Sequence, residues 1–311
     1  MRSSEFVFEA VDGRKLAATV WEPSRVLGAV VVASATGVPR RIYAPVATYL
    51  AEAGLAVLTF DYRGIGGSLD RPLRDEPARM EDWGRLDLEA ALGWMRRQHP
   101  GVPLLVLGHS AGGQLIGLAP SARHLAGALT VGAQLGWAGY WPWPARGLML
   151  ASWYVLIPLL ARLAGFLPMA AFGQGENLPR GVALQWADWG RRRHYLFDAL
   201  DPEVRMTYGA LGFPLRAIHI GDDGYAPRAG VAALAGFHGG PREVLSITPA
   251  QAGTRSIGHF GWVRPRFRAA VWTPIRDWLL ARLRDAVSPE NPRGTAAEPR
   301  QSATRSELSA G

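Results

Sequence analysis

The chain has 311 residues, enough to bury a large core, and its 48% apolar and 19% charged content is that of a globular, slightly oily protein. It contains no cysteine, which excludes disulfides, thiolate metal sites and a cysteine nucleophile. The formal charge of +8 is carried almost wholly by arginine, and the one tight basic run, Arg191 to Arg193, reads as a solvated face, so no nucleic-acid partner is expected.

In chain order, residues 6–10 and 16–21 read as two strands around an Asp12-Gly13 turn. Residues 28–35 form a buried strand, followed by the loop Thr36-Gly37-Val38-Pro39. Residues 43–53 have the period of an amphipathic helix stopped by Gly54, and residues 55–60 are another buried strand running into Asp61-Tyr62-Arg63-Gly64-Ile65-Gly66-Gly67-Ser68. Residues 82–99 read as a helix ended by Pro100-Gly101. The wholly apolar strand Leu104-Leu105-Val106-Leu107 then enters Gly108-His109-Ser110-Ala111-Gly112, with a helix from Ser110 onward. Further strands are expected at 127–135, 215–220 and 243–247, and further helices at 228–237 and 266–283. No apolar signal region follows Met1, which reads as a cytoplasmic protein, and the Pro-, Ser- and Arg-rich residues 287–311 read as a disordered tail.

Strands alternating with helices argue for an α/β chain, with a mostly parallel central sheet flanked by helices and the ligand at the carboxyl ends of the strands. A sharp turn at Gly108-His109-Ser110-Ala111-Gly112 projects the Ser110 hydroxyl at that edge, where the Ala111 N–H and the helix dipole can stabilise an oxyanion. A serine hydroxyl is a poor nucleophile until a base takes its proton, and the base needs a carboxylate to orient it.

The Gly108–Gly112 stretch resembles the nucleophile elbow of the α/β-hydrolase superfamily. The run Asp61 to Ser68 is similar to that family's D-x-R-G-x-G-x-S loop, whose role reads as structural: turn glycines, with Asp61 and Arg63 holding loops. The resemblance covers about residues 5–285 and is nearest to uncharacterised bacterial hydrolases of the serine aminopeptidase and monoacylglycerol lipase-like group. It implies the order Ser, then Asp or Glu, then His. His259, in the glycine-flanked loop Ser256-Ile257-Gly258-His259-Phe260-Gly261-Trp262 after the last strand, falls at the family's base. The acid falls in Gly221-Asp222-Asp223-Gly224-Tyr225-Ala226-Pro227, where spacing back from Pro227 favours Asp223. The loop is one residue shorter than the family's, and Asp222 stays open as the alternative. His109 takes the inward-packing position of the elbow. The second oxyanion donor, by position, is the Val38 N–H; the family often has His-Gly-x where this chain has Thr36-Gly37-Val38.

Residues 137–210 are too long for a connection and are expected to form a helical cap over a core made of 1–136 and 211–286. Six of the 12 tryptophans sit there, which suggests an apolar, aromatic-lined pocket, with most of the rings packing the cap. Residues 148–172 are apolar enough to span a membrane, but Pro158 interrupts them, Arg162 falls near the middle, and a span would part Ser110 from Asp223 and His259. Two cap helices, broken at Pro158 and again at 165–168, are expected instead, with contact to a membrane surface open but not favoured. The resemblance implies a serine hydrolase without metal or other cofactor, acting on a carboxylic ester, or a thioester or amide, of an apolar small molecule. A cofactor-free haloperoxidase, a C–C hydrolase on the same triad, and a non-catalytic binding protein of this fold are the alternatives. The oligomeric state is not legible.

Overall fold

Valine-, isoleucine- and leucine-rich runs with no polar break become the middle of one eight-stranded sheet. A computed structural model describes residues 1–287. The strands are β1 (Arg2–Glu9), β2 (Lys15–Glu22), β3 (Gly28–Ala33), β4 (Leu55–Phe60), β5 (Leu104–His109), β6 (Gly127–Val131), a short separate pair β7 (Phe166–Leu167) and β8 (Leu178–Pro179), β9 (Leu215–Ile220) and β10 (Arg242–Ile247). Across the large sheet they run in the order β1-β2-β4-β3-β5-β6-β9-β10. Neighbours from β4 to β10 are parallel; β2 opposes them and pairs antiparallel with β1 and β4. This is the mostly parallel, helix-flanked sheet that the sequence predicts.

The central strands β3, β4, β5 and β6 lie between two apolar layers and are wholly buried, which is why they carry no polar face, whereas β9 and β10 at the edge do. One layer is built on Trp83, Leu92, Met95 and Trp189, the other on Tyr43, Leu50, Trp262, Trp272 and Ile275. The chain crosses to opposite sides of β3 to reach β4 and β5, so a crevice opens at the carboxyl ends of these strands. Four loops meet there, those after β3, β5, β9 and β10.

Three local expectations are corrected. Strand β6 ends at Val131, because Gly132 adopts φ +60 and turns the chain. The helix after Ser110 is a single turn, Ala111–Gln114, followed by 3-10 turns at Ile116–Leu118 and Pro120–His124; two glycines and a proline do not sustain a longer one. Pro158 does not break the cap helix. Ala145–Ala151, a wide π turn Ser152–Leu156 and Ile157–Ala164 form one continuous helix, ended by Gly165 in the left-handed conformation. A proline has no N–H to donate and its ring crowds the carbonyl one turn back. The wide turn lies at that place, with the Ile157 N–H reaching back to Ser152 O.

The 137–210 insertion leaves the sheet after β6 and rejoins it at β9. It carries the long helix Ala145–Ala164, the helix Arg180–Gly190 and two shorter ones, Leu196–Ala199 and Glu203–Ala210. The last of these is packed on the core: Tyr208 donates its hydroxyl to Gln114 O. Of the expected tail, Val287 closes the final helix Thr273–Val287, and the rest lies outside the described residues.

Candidate active site

Ser110 sits at the end of β5 with φ 50 and ψ −117, a conformation that a residue with a Cβ rarely adopts and that holds the side chain out of the turn. Its N–H donates to Val131 O at 2.9 Å, which ties the turn to β6. The flanking glycines are required by close approach. A Cβ on Gly112 would run into the Ala33 carbonyl, and one on Gly108 would lie 2.6 Å from Gly113 Cα.

The structure brings His259 and Asp223 together: His259 Nδ1 lies 2.6 Å from Asp223 Oδ2. The other carboxylate oxygen, Oδ1, accepts the N–H groups of Tyr225 and Ala226 at 2.8 and 3.0 Å, so the carboxylate plane is locked. Asp222 faces the other way. It accepts from Ser256 Oγ at 2.6 Å and from the N–H groups of Ile257 and Gly258, both at 3.0 Å. Partial burial acts to raise its pKa, but these hydrogen bonds outweigh it and hold the carboxyl below the usual range. Asp222 thus holds the loop that presents His259, while Asp223 holds the imidazole.

Ser110 Oγ has no hydrogen-bond partner among the described residues, so the serine–histidine bond is not made in this structure. Its surroundings nevertheless converge on the imidazole. A Cβ on Gly132, the residue after Val131, would lie 3.0 Å from both His259 Cε1 and Asp223 Oδ2. His109, the residue before Ser110, meets the His259 carbonyl through Nε2 at 3.1 Å. A carbonyl only accepts, so the His109 proton is on Nε2, and Nδ1 accepts from the Tyr43 hydroxyl at 2.7 Å. Tyr43 in turn receives the Ala35 N–H at 2.9 Å. Burial, helped by the nearby His259, pushes the His109 pKa well below its ordinary value, and the ring stays neutral.

The two expected oxyanion donors are placed differently. The Ala111 N–H, first in its helix, has no hydrogen-bond partner among the described residues, whereas the Val38 N–H donates to Ala35 O at 3.1 Å across a turn with Gly37 at φ +68. Asp61 fixes the far end of this loop, accepting the Arg40 N–H at 2.6 Å and pairing with its guanidinium, while Arg63 is held by Asp87 at 2.7 Å. The cost of keeping Asp87 charged in the core raises its pKa to about 6, against the pull of Arg63.

Sequence reasoning missed what covers the site. Ser110, Asp223 and His259 are only 8%, 7% and 6% exposed. A strap of the insertion, Gln174-Gly175-Glu176, bridges the loops around them. Glu176 donates its N–H to Gly37 O at 2.8 Å and accepts the Gly66 N–H at 2.7 Å, while Gln174 accepts the hydroxyl of Tyr225. The strap therefore joins the loops after β3 and β4 to the loop after β9. No motif marks these residues; only the fold brings them there. Most of the insertion's tryptophans pack elsewhere. Trp153 meets Trp186, Trp189 meets Tyr195, Trp143 is exposed, and Trp141 donates to Gly224 O at 2.8 Å beside the acid. The rings against His259 are Phe260, His109 and Tyr225, with centroids 4.7, 4.9 and 5.3 Å away. Among the described residues no cluster of three or more His, Asp or Glu could hold a metal ion.

Residues 24–172 match the family described as serine aminopeptidase, S33. Over 116 residues, 36% of this chain and 40% of the relative, the chain is 35% identical to a monoacylglycerol lipase of Mycolicibacterium smegmatis. Over 187 residues, 56% of this chain and 63% of the relative, it is 33% identical to an uncharacterized protein of Mycobacterium tuberculosis. The chain thus spans 40% to 63% of the length of these curated relatives. Among solved structures it is similar to a soluble variant of the monoglyceride lipase of Saccharomyces cerevisiae in complex with a substrate analog, with TM-score 0.63, 16% identity, and 91% of this chain and 95% of that one covered. It is also similar to the esterase domain of a Rhodothermus marinus protein, with TM-score 0.58, 19% identity, and 90% and 99% covered. At such identities the two structures establish the fold.

Proposed function

We propose that the chain is a member of the α/β-hydrolase superfamily, close to its serine aminopeptidase and monoacylglycerol lipase-like group, and that it is a serine hydrolase cleaving a carboxylic ester of an apolar small molecule through an acyl-enzyme. The observation that carries this reading is the 2.6 Å contact of His259 Nδ1 with a locked Asp223, beside a serine in the strained elbow conformation. In the proposed cycle Ser110 Oγ attacks the acyl carbon and its proton passes to His259 Nε2. Asp223 keeps the Nδ1 proton in place and stabilises the imidazolium that forms. The carbonyl oxygen takes the negative charge against the open Ala111 N–H. Val38 is the proposed second donor, and because its N–H is already bonded to Ala35 O it serves by sharing that hydrogen or by releasing it. The imidazolium then protonates the departing alcohol, and water repeats the sequence to free the acid and restore Ser110.

Access requires the strap at 174–176 to move or to leave a narrow opening, since the reacting groups are covered. The test is covalent labelling with a fluorophosphonate, which needs an activated serine and no knowledge of the substrate. The wild type is expected to label and Ser110→Ala to lose both label and hydrolysis of p-nitrophenyl esters with its fold intact. Labelling that survives in Ser110→Ala removes the nucleophile assignment. A folded wild type that neither labels nor turns over esters supports the binding-protein reading instead.

A further inference from the structure

In the proposed cycle His259 Nε2 gives its proton to the departing alcohol, so the alcohol oxygen must come within about 3 Å of that nitrogen. Whatever that oxygen carries then lies against the groups around the imidazole. Three rings stand there: Phe260, His109 and Tyr225. His109 is buried, and both of its ring nitrogens are engaged, by the Tyr43 hydroxyl and the His259 carbonyl. Phe260 and Tyr225 are 38% and 47% exposed, beside a base that is itself buried. They are the rings left for a ligand to meet.

Tyr225 is held in place without being packed away. Its N–H donates to Asp223 Oδ1 at 2.8 Å, its carbonyl accepts from Gln134 Nε2 at 2.9 Å, and its hydroxyl donates to Gln174 Oε1. The carbonyl before it, that of Gly224, accepts from Trp141 Nε1 at 2.8 Å. A ring fixed before binding loses little conformational freedom when a ligand packs on it. The Phe260 ring lies 5.9 Å from the Tyr225 ring and is inclined to it by 58°, so the pair presents two ring surfaces in different directions. A third aromatic ring can stack offset on one and meet the edge of the other, which a saturated ring of the same size cannot do. The one polar group on the pair, the Tyr225 hydroxyl, is already bonded to Gln174. We propose that Tyr225 and Phe260 form the leaving-group subsite and select esters of alcohols that carry an aromatic ring close to the ester oxygen. The proposal rests on the reading of the chain as a serine hydrolase.

The test runs the alcohol step in reverse. The enzyme is given p-nitrophenyl butyrate with equal concentrations of benzyl alcohol and cyclohexylmethanol. Either alcohol can attack the butyryl carbon of the acyl-enzyme in place of water. Its oxygen forms the new ester bond, His259 takes its proton, and Ser110 Oγ leaves and receives that proton. The early ratio of benzyl to cyclohexylmethyl butyrate compares the two alcohols on one acyl-enzyme, so it does not depend on how much of the protein is folded. The wild type is expected to favour benzyl butyrate about fivefold. Tyr225→Leu and Phe260→Leu are each expected to bring the ratio close to one, whereas Tyr225→Phe keeps the ring and is expected to keep the preference. The proposal is overturned by a wild-type ratio near one, by release of butyrate with neither ester formed, by a leucine variant that keeps the wild-type ratio, or by a Tyr225→Phe ratio near one. A wild type that takes no fluorophosphonate label at Ser110 and forms no acyl-enzyme overturns the serine-hydrolase reading and this subsite with it. A labelled enzyme with a ratio of one overturns the subsite alone.

Discussion

Asp222 and Asp223 are neighbours of one chemical type, and what separates them is which atoms face each carboxylate. Asp223 receives two N–H groups of its own loop on Oδ1 and leaves Oδ2 for the imidazole. Asp222 spends both oxygens on the backbone and hydroxyl of residues 256–258. Asn at position 223 keeps the shape but loses the charge that stabilises the imidazolium and invites the wrong tautomer, a change that costs about 10⁴-fold in kcat at a comparable acid. Asn at position 222 weakens the loop and should cost far less turnover, with a lower melting temperature as its main effect. Steady-state kinetics and thermal melts of the two variants decide this, and the reverse ranking would transfer the acid to Asp222. Local spacing brought both residues to notice and favoured Asp223, but left Asp222 open, because the choice lies in contacts with residues more than thirty positions away.

Among elements, His109 is the tie between three of them. It ends β5, takes the Tyr43 hydroxyl that also holds Ala35 after β3, and donates to the carbonyl of His259 after β10. One neutral ring therefore ties together the loop after β3, the turn at Ser110 and the loop that carries His259. Its pKa is depressed by burial and by His259, so the sign follows. Above about pH 6.5 neither folded nor unfolded chain protonates it; below that, the unfolded chain takes a proton that the folded one refuses. The stability tied to His109 is thus complete above pH 6.5 and lost as pH falls toward the depressed folded value, by about 1.4 kcal/mol per pH unit for one proton. His109→Gln should be less stable at pH 8, and denaturant melts between pH 6.5 and 5 should show a flatter decline than wild type by up to that slope. Equal slopes would mean the ring protonates in the folded state. The elbow was legible because its requirements are local: a strand, two glycines and a serine between them. The long cap helix was not, because a π turn that accommodates Pro158 leaves no mark in residue periodicity. Nor was the Val38 N–H, whose partner is set by a turn geometry that depends on the packing of residues 37 and 175–178.

For the molecule as a whole, the middle of the sheet was readable because the apolar runs of β3, β4 and β5 report burial on two faces, whereas the edge strands β1 and β10 are largely exposed. The roof over the site was not, since Gln174 and Glu176 act through contacts with Tyr225, Gly37 and Gly66, which only the closed fold supplies. That roof bears on what the site accepts. Around the reacting groups the structure sets apolar surface: Phe260 and the Tyr225 ring beside His259, and Leu178 packed at Gly37 on the oxyanion loop. Among the described residues no arginine, and no carboxylate other than Asp223, is hydrogen-bonded to His259 or Ser110. An ester with an apolar acyl chain would lose water contact against these side chains. Each methylene buried gains about 0.8 kcal/mol, or roughly fourfold in binding. Where that gain is kept in the transition state it appears in kcat/KM. For p-nitrophenyl esters of increasing acyl length, kcat/KM should therefore climb by up to about fourfold per carbon, then fall once the chain meets the strap or the cap. The length at the maximum measures the depth of the pocket. If the rings and Leu178 only pack the cap against the core, the acetate ester will be the best substrate and each longer chain worse. A decline from two carbons upward removes the apolar-substrate reading and leaves the serine chemistry to be judged by labelling alone.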